Sequence, residues 1–211
     1  MQTFGPAGHT RVVRHPERAA YDRDPIYQIL DEGFVCHMGY AVDGQPYVIP
    51  TMYARVGEVL YVHGSAASRT LRHLNAGVAV CVTVTLVDGL VLAYSVYDHS
   101  MNYRSVVAFG TATLVQGVTE KREALRAFTE KVLPGRWAVV RQPTEQELKA
   151  TAILSLPLTE VSAKVRTGPV KGSAEDYRWP VWAGVIPLRL VAETPIRDEQ
   201  CDSAFPAPQF R

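Results

Sequence analysis

The sequence has few of the features that define several large classes of protein. Its three cysteines, Cys36, Cys81 and Cys201, are far apart and have no CxxC or Cys/His ligand spacing. Neither a disulfide framework nor a zinc module is therefore indicated, and we expect reduced thiols in a cytoplasmic protein. The first twenty residues contain no apolar signal core, and no uninterrupted apolar run reaches about 18 residues. Secretion and membrane spanning are not expected.

The chain also lacks an excess of charge of either sign. Its 22 basic and 21 acidic residues give a formal net charge of +1. Binding to nucleic acid or to an anionic membrane is not expected, and any anion site must be local. Hydrophobic residues make up 47% of the 211 residues, which is enough for a sizeable core in one globular domain.

Several familiar catalytic motifs are missing as well. The sequence contains no GxGxxG after a strand, no GxxxxGK[ST], no GxSxG and no HExxH. Dinucleotide-fold, P-loop, α/β-hydrolase and zincin chemistry therefore lack their defining residues. The six histidines have no ligand spacing between them, so we predict no metal site.

Four helices are predicted from capping signals. The first has Asp24 as N-cap and ends at Gly33, and a short second one runs from Ser65 to about residue 75. The third is capped by Thr119 and ends before Pro134. The fourth begins with the capping box from Thr144 to Glu147.

The remaining segments are rich in β-branched and aromatic residues separated by glycine-containing turns. Strands are predicted in the runs 34–42, 47–56, 58–64, 77–94, 103–115, 153–166 and 182–191, with a hairpin turn at Asp88-Gly89. Short turns between strands favour an antiparallel sheet, which we expect to form a β-barrel with peripheral helices. Residues 1–23 are predicted to be an extended arm, 24–192 the domain, 167–180 an exposed loop within it, and 193–211 a tail.

Two clusters of polar residues are candidates for a site. In "YVHGSAASRTL" hydroxyl and guanidinium groups gather where a helix is predicted to begin, which suits a phosphate. Ordinary capping by Ser65, with solvated arginines, is the alternative. In "HSMNYRSVVAFGTA" either Arg104 and Tyr103 bind an anion and a planar ligand, or they form a barrel rim.

Three segments in this order and spacing, "DGQPYVIPTMYA", "LYVHGSAASRTLRHL" and "NYRSVVAFGTATLV", resemble the flavin-binding split-barrel superfamily of pyridoxamine 5′-phosphate oxidase. The similarity covers residues 24–190 and is greatest to the 5-nitroimidazole-resistance (Nim-type) branch. It implies a mainly β fold, an antiparallel six-stranded split β-barrel of Greek-key type. It also implies a homodimer that holds FMN in a groove between the subunits.

The resemblance assigns roles to individual residues. It implies that Ser65, Ser68 and Arg69 bind the flavin phosphate, with Arg72 a weaker candidate, and that His63 lies near the ring. The backbone of Ile49, Pro50 and Thr51 would meet the polar edge of the ring. Tyr103, Arg104 and Ser105 would line the flavin site, either from the same subunit or from the facing one. Trp182 would either cover the ligand or lie in the dimer core.

The resemblance also limits the function. The chain ends in "RDEQCDSAFPAPQFR", without the basic pyridoxal-phosphate-binding end of the true oxidases. We expect an FMN-dependent oxidoreductase that reduces a small electron-poor substrate, such as a nitroimidazole, using a nicotinamide reductant. The alternatives are a non-catalytic protein that binds FMN, FAD or haem, and a barrel without flavin. His63 is the candidate proton donor, or else a hydrogen-bonding wall residue.

Overall fold

The computed structural model describes residues 3–6, 8–65 and 77–209; within β4 the side chains of residues 64 and 65 are not described. Three α-helices occur in these residues: α1 Arg23–Glu32, α2 Val118–Val132 and α3 Glu145–Ala150. The strands are β1 Ala19–Ala20, β2 Val35–Val42, β3 Gln45–Val56, β4 Val59–Ser65, β5 Ala79–Leu92, β6 Ser100–Thr111, β7 Thr113–Leu114, β8 Thr151–Pro157, β9 Glu160–Arg166 and β10 Gly184–Pro187.

The strands form one antiparallel sheet in the order β1-β9-β6-β5-β2-β3-β4-β8-β7, and β10 adds to β5. The prediction of a mainly β, antiparallel fold with few helices is confirmed. The described residues do not show the expected six-stranded barrel. They contain a 10-stranded sheet whose hydrogen-bonded path ends at β1 and β7. Of the additional strands, β7 and β10 lie within the predicted strand runs 103–115 and 182–191, whereas the two-residue β1 is too brief to give an alternating signal.

The sheet has a core on one face, which we call the inner face, and a second cluster beneath α2. Cys36, Met38, Val82, Val84 and Val106 belong to the inner core, which α1 closes with Ile26, Ile29 and Leu30. Ala124 and Phe128 of α2 pack on Tyr61, Ala54 and Ile153 from the other side of β3, β4 and β8. Among the described residues, the opposite, outer face of β2, β5 and β6 does not contribute to either cluster.

The helix boundaries differ slightly from those predicted. α1 has Asp22 rather than Asp24 as N-cap, and α2 follows Gly117 rather than Thr119. Both helices extend toward their N-termini by a residue or two that the capping rules had placed outside. The capping box is confirmed, because the Thr144 side chain accepts from the Glu147 N–H and the Glu147 side chain from the Thr144 N–H. The predicted helix beginning at Ser65 lies mostly outside the described residues.

The predicted hairpin at Asp88-Gly89 is wrong. β5 continues through these residues and pairs with β6 on both sides of them, with a register shift between Val87 and Gly89. β10 pairs with β5 from Gly89 to Leu92 on the opposite edge. Pairing on both edges keeps the strand extended, so the dipeptide forms a β-bulge instead of a turn.

The two ends of the chain differ in how much secondary structure they contain. The first residues include short 3-10 turns at Gly8–Thr10 and Pro16–Arg18 and reach β9 through β1. Residues 188–209 have no regular secondary structure and are mostly exposed. In the described part of the chain, none of the helices has the length and apolar character needed to cross a bilayer.

Candidate functional site

The pairing of β3 with β4 ends before either strand does, at the place where the sequence predicts contact with a ring. The β3–β4 ladder pairs Tyr53 with Val62 and extends only toward the turn that joins the two strands. Both strands nevertheless continue past this pair: β3 extends back to Gln45, and β4 extends to Ser65 and pairs with β8 throughout. We call the space between Gln45–Met52 and His63–Ser65 the wedge.

The prolines of β3 explain why the ladder stops. Asp43 and Gly44, with φ of 50° and 79°, form a two-residue turn, so Val42 and Gln45 are a hydrogen-bonded pair. Backbone groups alternate in direction along a strand, so residues 46, 48, 50 and 52 direct theirs away from β2 and toward the wedge. Pro46 and Pro50 therefore remove two N–H donors on the side of β4.

The same count shows which backbone groups face the wedge. The groups of Ile49 and Thr51 are directed toward Met38 and Cys36 of β2, and their side chains point to the inner core. The carbonyl of Pro50, together with the backbone groups of Val48 and Met52, is directed into the wedge. The sequence-based prediction named Ile49, Pro50 and Thr51; of these only Pro50 directs its backbone into the wedge, and contact of this stretch with a ring stays a prediction.

His63 lies on the β4 side of the wedge and faces α2. Its ring packs edge-on against Phe128, with the centroids 4.3 Å apart. Burial lowers the pKa of His63, which favours the uncharged imidazole at neutral pH. Such a ring is better suited to be a neutral wall of the site than a proton donor.

The predicted phosphate ligands follow directly in the chain. Ser65 is the last residue of β4 and pairs with Thr151, so its backbone lies at the mouth of the wedge. Ser68, Arg69 and Arg72 lie outside the described residues. Their roles stay a prediction that rests on the resemblance alone.

Tyr103 and Ser105 lie on the outer face of the sheet. Their neighbours Val106 and Ala108 are buried in the inner core, and alternation places 103, 105 and 107 on the opposite side. β6 is separated from β3 by β5 and β2, a distance of about 14 Å at roughly 4.8 Å per strand. Within one chain these residues do not reach the wedge, and only a second chain would bring them to the same ligand.

Arg104 lies on the inner side and is held by two carboxylates. Its Nε donates to Asp88 Oδ2 at 2.9 Å, and its Nη2 donates to Glu32 Oε1 and Asp88 Oδ1, both at 2.7 Å. Nη1 also donates to Glu32. Arg104 lowers the pKa of Glu32, and the two carboxylates raise the pKa of Arg104. A phosphate would have to displace these partners, so the geometry favours a structural ion cluster over an anion site.

Trp182 lies at the far end of the sheet, just before β10. Its indole packs over Gly184, where an added Cβ would lie 2.8 Å from the ring. Gly184 pairs with Leu92, nine residues along β5 from Thr83, which is in register with His37 and so with Pro50. At a rise of about 3.3 Å per residue that is roughly 30 Å. Like Tyr103 and Ser105, Trp182 is remote from the wedge of its own chain.

Sequence reasoning missed Glu32 and Asp88, and with them a cavity of about 1310 Å³ beside the ion cluster. Phe34, Leu86, Leu133 and Leu188 form apolar parts of its wall, and Lys131 lies at its edge. Lys131 donates from Nζ to the carbonyl of Leu30 at 2.7 Å, and burial lowers its pKa to about 8. The dipeptide Asp88-Gly89 was the available signal in the sequence, but it was interpreted as a hairpin turn. Among the described residues no three His, Cys, Asp or Glu side chains group as metal ligands.

The fold agrees with a comparison at the level of protein families. The sequence model of the family described as pyridoxamine 5′-phosphate oxidase matches residues 22–165. The chain belongs to the pyridoxamine 5′-phosphate oxidase family. The matched range begins at the N-cap of α1 and ends within β9, so it contains the wedge, the ion cluster and the segment that follows β4.

Two solved structures are similar over almost the whole chain. The flavocytochrome Anf3 from Azotobacter vinelandii has 40% sequence identity and a TM-score of 0.89, covering 96% of this chain and 94% of that one. The FAD and haem binding protein from Mycobacterium smegmatis has 34% identity and a TM-score of 0.86, covering 90% and 94%. Both similarities extend beyond the range of the family model.

The Nim-type branch is more distantly related to this chain than the sequence motifs suggested. A 5-nitroimidazole antibiotic resistance protein from Bacteroides thetaiotaomicron has 22% identity and a TM-score of 0.57, covering 70% of this chain and 86% of that one. At this level the similarity concerns the fold alone. No curated protein matches the chain.

Proposed function

We propose that this chain is a flavin- and haem-binding redox protein of the flavocytochrome type, with FAD as its flavin. One observation carries the proposal. The two similar structures with 40% and 34% identity, covering at least 90% of this chain, are a flavocytochrome and an FAD and haem binding protein. FAD thereby replaces FMN, the flavin expected from the sequence.

We assign the flavin to the wedge. An isoalloxazine ring has a polar edge that needs hydrogen-bond partners and a flat body that needs apolar contact. The wedge provides the Pro50 carbonyl and the backbone groups of Val48 and Met52 for the edge. His63 is a neutral wall, and Ser65 leads to Ser68 and Arg69, the proposed phosphate ligands.

We further propose that the working unit is a homodimer. The outer face of β2, β5 and β6 carries uncharged side chains that alternate with the buried ones, and Val35, Val87 and Met101 expose large apolar groups there. An uncharged face of this kind is typical of an interface between subunits. A second copy on this face would also bring Tyr103, Ser105 and Trp182 to a wedge that their own chain does not let them reach.

The proposed reaction class is an oxidation–reduction with a small-molecule substrate and a nicotinamide electron donor. When bound, a flavin supplies the hydride and single-electron chemistry, while the protein binds, orients and excludes side reactions. The residues of this chain therefore act as binding residues. The uncharged His63 imidazole is assigned to the wall of the site.

The first test is the absorption spectrum of the purified protein, before and after addition of FAD, FMN and haemin. We expect a flavin spectrum with FAD bound more tightly than FMN, and a separate haem band with bound haem quantified by pyridine haemochrome. Arg69→Ala should weaken FMN about 10- to 100-fold and leave riboflavin unchanged, since a charge-assisted phosphate contact contributes about 1.5 to 3 kcal/mol. A protein that binds neither cofactor, or an Arg69→Ala variant that weakens riboflavin equally, would contradict the proposal.

A further inference from the structure

We propose that Arg166, at the end of β9, and Arg18, just before β1, form a binding site for a phosphate-type oxyanion. The site lies at the β1–β9 edge of the sheet, on its outer side. The strands β6, β5 and β2 separate β9 from β3, a distance of about 19 Å at roughly 4.8 Å per strand. Neither arginine belongs to the wedge or to the uncharged outer face of β2, β5 and β6.

Arg166 is a buried cation without a counter-charge. It is 7% exposed, and it is the only charged residue that is buried in the described part of the chain. Among those residues no carboxylate pairs with it, and its one side-chain hydrogen bond runs from Nη1 to Asn102 Oδ1, a neutral acceptor. A guanidinium does not lose its proton in a protein. Because a covered charge is unfavourable unless it is paired, an anion from outside the chain is expected.

Other arginines show how this chain usually neutralises a guanidinium. Arg55, Arg104 and Arg141 each bind a carboxylate through two nitrogens. All three are more exposed than Arg166. The most deeply covered guanidinium of the four is therefore the one without a carboxylate, as expected where a ligand supplies the negative charge.

The unbonded nitrogens of Arg166 reach solvent. Among the described residues, the fully buried side-chain polar atoms without a hydrogen bond are Arg23 Nε and Tyr27 Oη. Nε and Nη2 of Arg166 also lack a hydrogen bond but are not fully buried, so an anion can approach them. With this same Nε–Nη2 edge Arg104 binds Asp88 through two hydrogen bonds. A free edge of this kind matches two oxygens of a phosphate.

Asn102 holds the guanidinium in place. Its Nδ2 donates to the Gly168 carbonyl at 3.1 Å, which fixes Oδ1 as the amide atom that faces Arg166. Nη1 is thereby occupied, and the Nε–Nη2 edge is left for a ligand. Asn102 is thus a positioning residue, and the binding group is the guanidinium of Arg166.

The N-terminal segment brings a second guanidinium to this place. Ala19 of β1 pairs with Lys164, and Lys164 Nζ donates to the Arg14 carbonyl at 2.8 Å. Arg18 lies between these two anchored residues. Burial and the nearby Arg18 charge both lower the pKa of Arg166. Two neighbouring guanidinium groups repel each other, so an anion bound between them would stabilise the arrangement.

The local charge favours a doubly charged ligand. Arg18, Lys164 and Arg166 are cations, and Glu17 is the carboxylate that pairs with one of them, 3.6 Å from Arg18 Nε. A phosphate group carries a charge of about −1.5 to −2 at pH 7, which balances the excess positive charge better than a single carboxylate does. The ligand class is therefore phosphate, either as the free ion or as a group on a small molecule.

The test is a calorimetric titration of the purified protein with inorganic phosphate, at an ionic strength held constant with chloride. Arg166→Met should weaken phosphate binding about 10- to 100-fold, the loss expected for charge-assisted hydrogen bonds. Arg18→Met should weaken it about 3- to 10-fold through the lost charge, and it provides the comparison if Arg166→Met does not fold. Arg141→Met, at an exposed arginine that already has a carboxylate partner, is the control and should bind phosphate like the parent.

Ribose 5-phosphate is the second probe, and it separates the two sources of the phosphate group. If it binds the parent more tightly than inorganic phosphate does, the site takes a phosphorylated small molecule. If it binds more weakly, the site takes the free ion. In both cases Arg166→Met should lose the binding.

Four results would overturn the proposal. The first is a parent protein that binds no phosphate under these conditions. The second is phosphate binding that is equal in the parent, Arg166→Met and Arg18→Met. The third is a loss of FAD affinity in Arg166→Met, which would assign the guanidinium to the flavin. The fourth is a change from dimer to monomer in Arg166→Met by sedimentation, which would show that a second copy of the chain supplies the counter-charge.

Discussion

The inner and outer faces of the same sheet differ in whether they carry charged side chains. On the inner face Arg104 is paired with Glu32 and Asp88 at the edge of an apolar core closed by α1. On the outer face β2, β5 and β6 present uncharged side chains, several of them large and exposed. On the inner face, the charge of Arg104 finds its partners within one chain. The outer face has the composition of a surface that a second chain or a ligand completes.

This difference explains how adjacent residues of one cluster come to have different roles. Tyr103, Arg104 and Ser105 are consecutive, and they looked like one site in the sequence. The pleat sends Arg104 to the ion cluster and sends Tyr103 and Ser105 to the outer face. Only the two outer residues stay candidates for contact with a flavin.

The largest expected effect comes from placing a charge on the outer face. Thr85 is exposed and pairs with Ser105. Thr85→Arg should convert the proposed homodimer to a monomer at micromolar concentration, because a buried unpaired charge at a subunit interface costs several kcal/mol. Analytical ultracentrifugation measures the change. Gln116→Arg, at another exposed position, is the control that should stay dimeric. A dimeric Thr85→Arg would show that this face is not the interface.

A smaller effect is expected when the ion cluster of the inner face is broken. Arg104→Met leaves Glu32, which is exposed, and Asp88, which is half-buried, without their partner. We expect the cofactor-free protein to lose about 1 to 2 kcal/mol of unfolding free energy, after allowance for solvent screening. Flavin affinity should change little. Urea unfolding and flavin titration measure the two quantities.

Arg141→Met is the matched control for this prediction. Arg141 also makes a bidentate ion pair, with Glu147, but on the exposed surface of the protein. Its removal should affect stability little. If Arg104→Met bound flavin far more weakly with unchanged stability of the cofactor-free protein, Arg104 would be a flavin ligand and the contrast between the two faces would be wrong.

The smallest effect concerns Lys131, beside the ion cluster. Burial lowers its pKa from 10.5 in the unfolded chain to about 8 in the folded protein. Between these values the unfolded chain binds more protons, so the contribution of Lys131 to unfolding free energy becomes more favourable as pH rises. Relative to Lys131→Met, the parent should gain about 0.5 to 1 kcal/mol from pH 7.5 to 9.5, discounted for partial exposure.

Paired urea titrations of the two proteins at pH 7.5 and 9.5 measure this change. Taking the difference between parent and variant removes the contributions of other groups. Cys36 is one such group, because burial raises its pKa to about 12 and its contribution falls at high pH. A difference that does not change with pH, or that changes in favour of the variant, would contradict the assignment.

Much of the fold followed from patterns within single segments. Alternation and turn residues predicted β2, β3, β4 and β6, and the Thr144 capping box predicted α3. The assignment of a flavin site to the segments around β3 and β4 stays a prediction. The pairing of Arg104 with Glu32 was not predictable, because residues 72 positions apart in the chain carry no local signal of their contact.

One dipeptide, present twice, separates what the sequence determined from what only the tertiary structure decided. Asp43-Gly44 forms a hairpin turn, because both residues adopt positive φ and the strands on either side pair with each other. Asp88-Gly89 has the same local preference, yet β6 and β10 bind the flanking strand on both edges and hold it extended. The resulting bulge directs Asp88 to Arg104. Local conformational preference amounts to about 1 kcal/mol, so where long-range pairing competes with it, the tertiary structure decides.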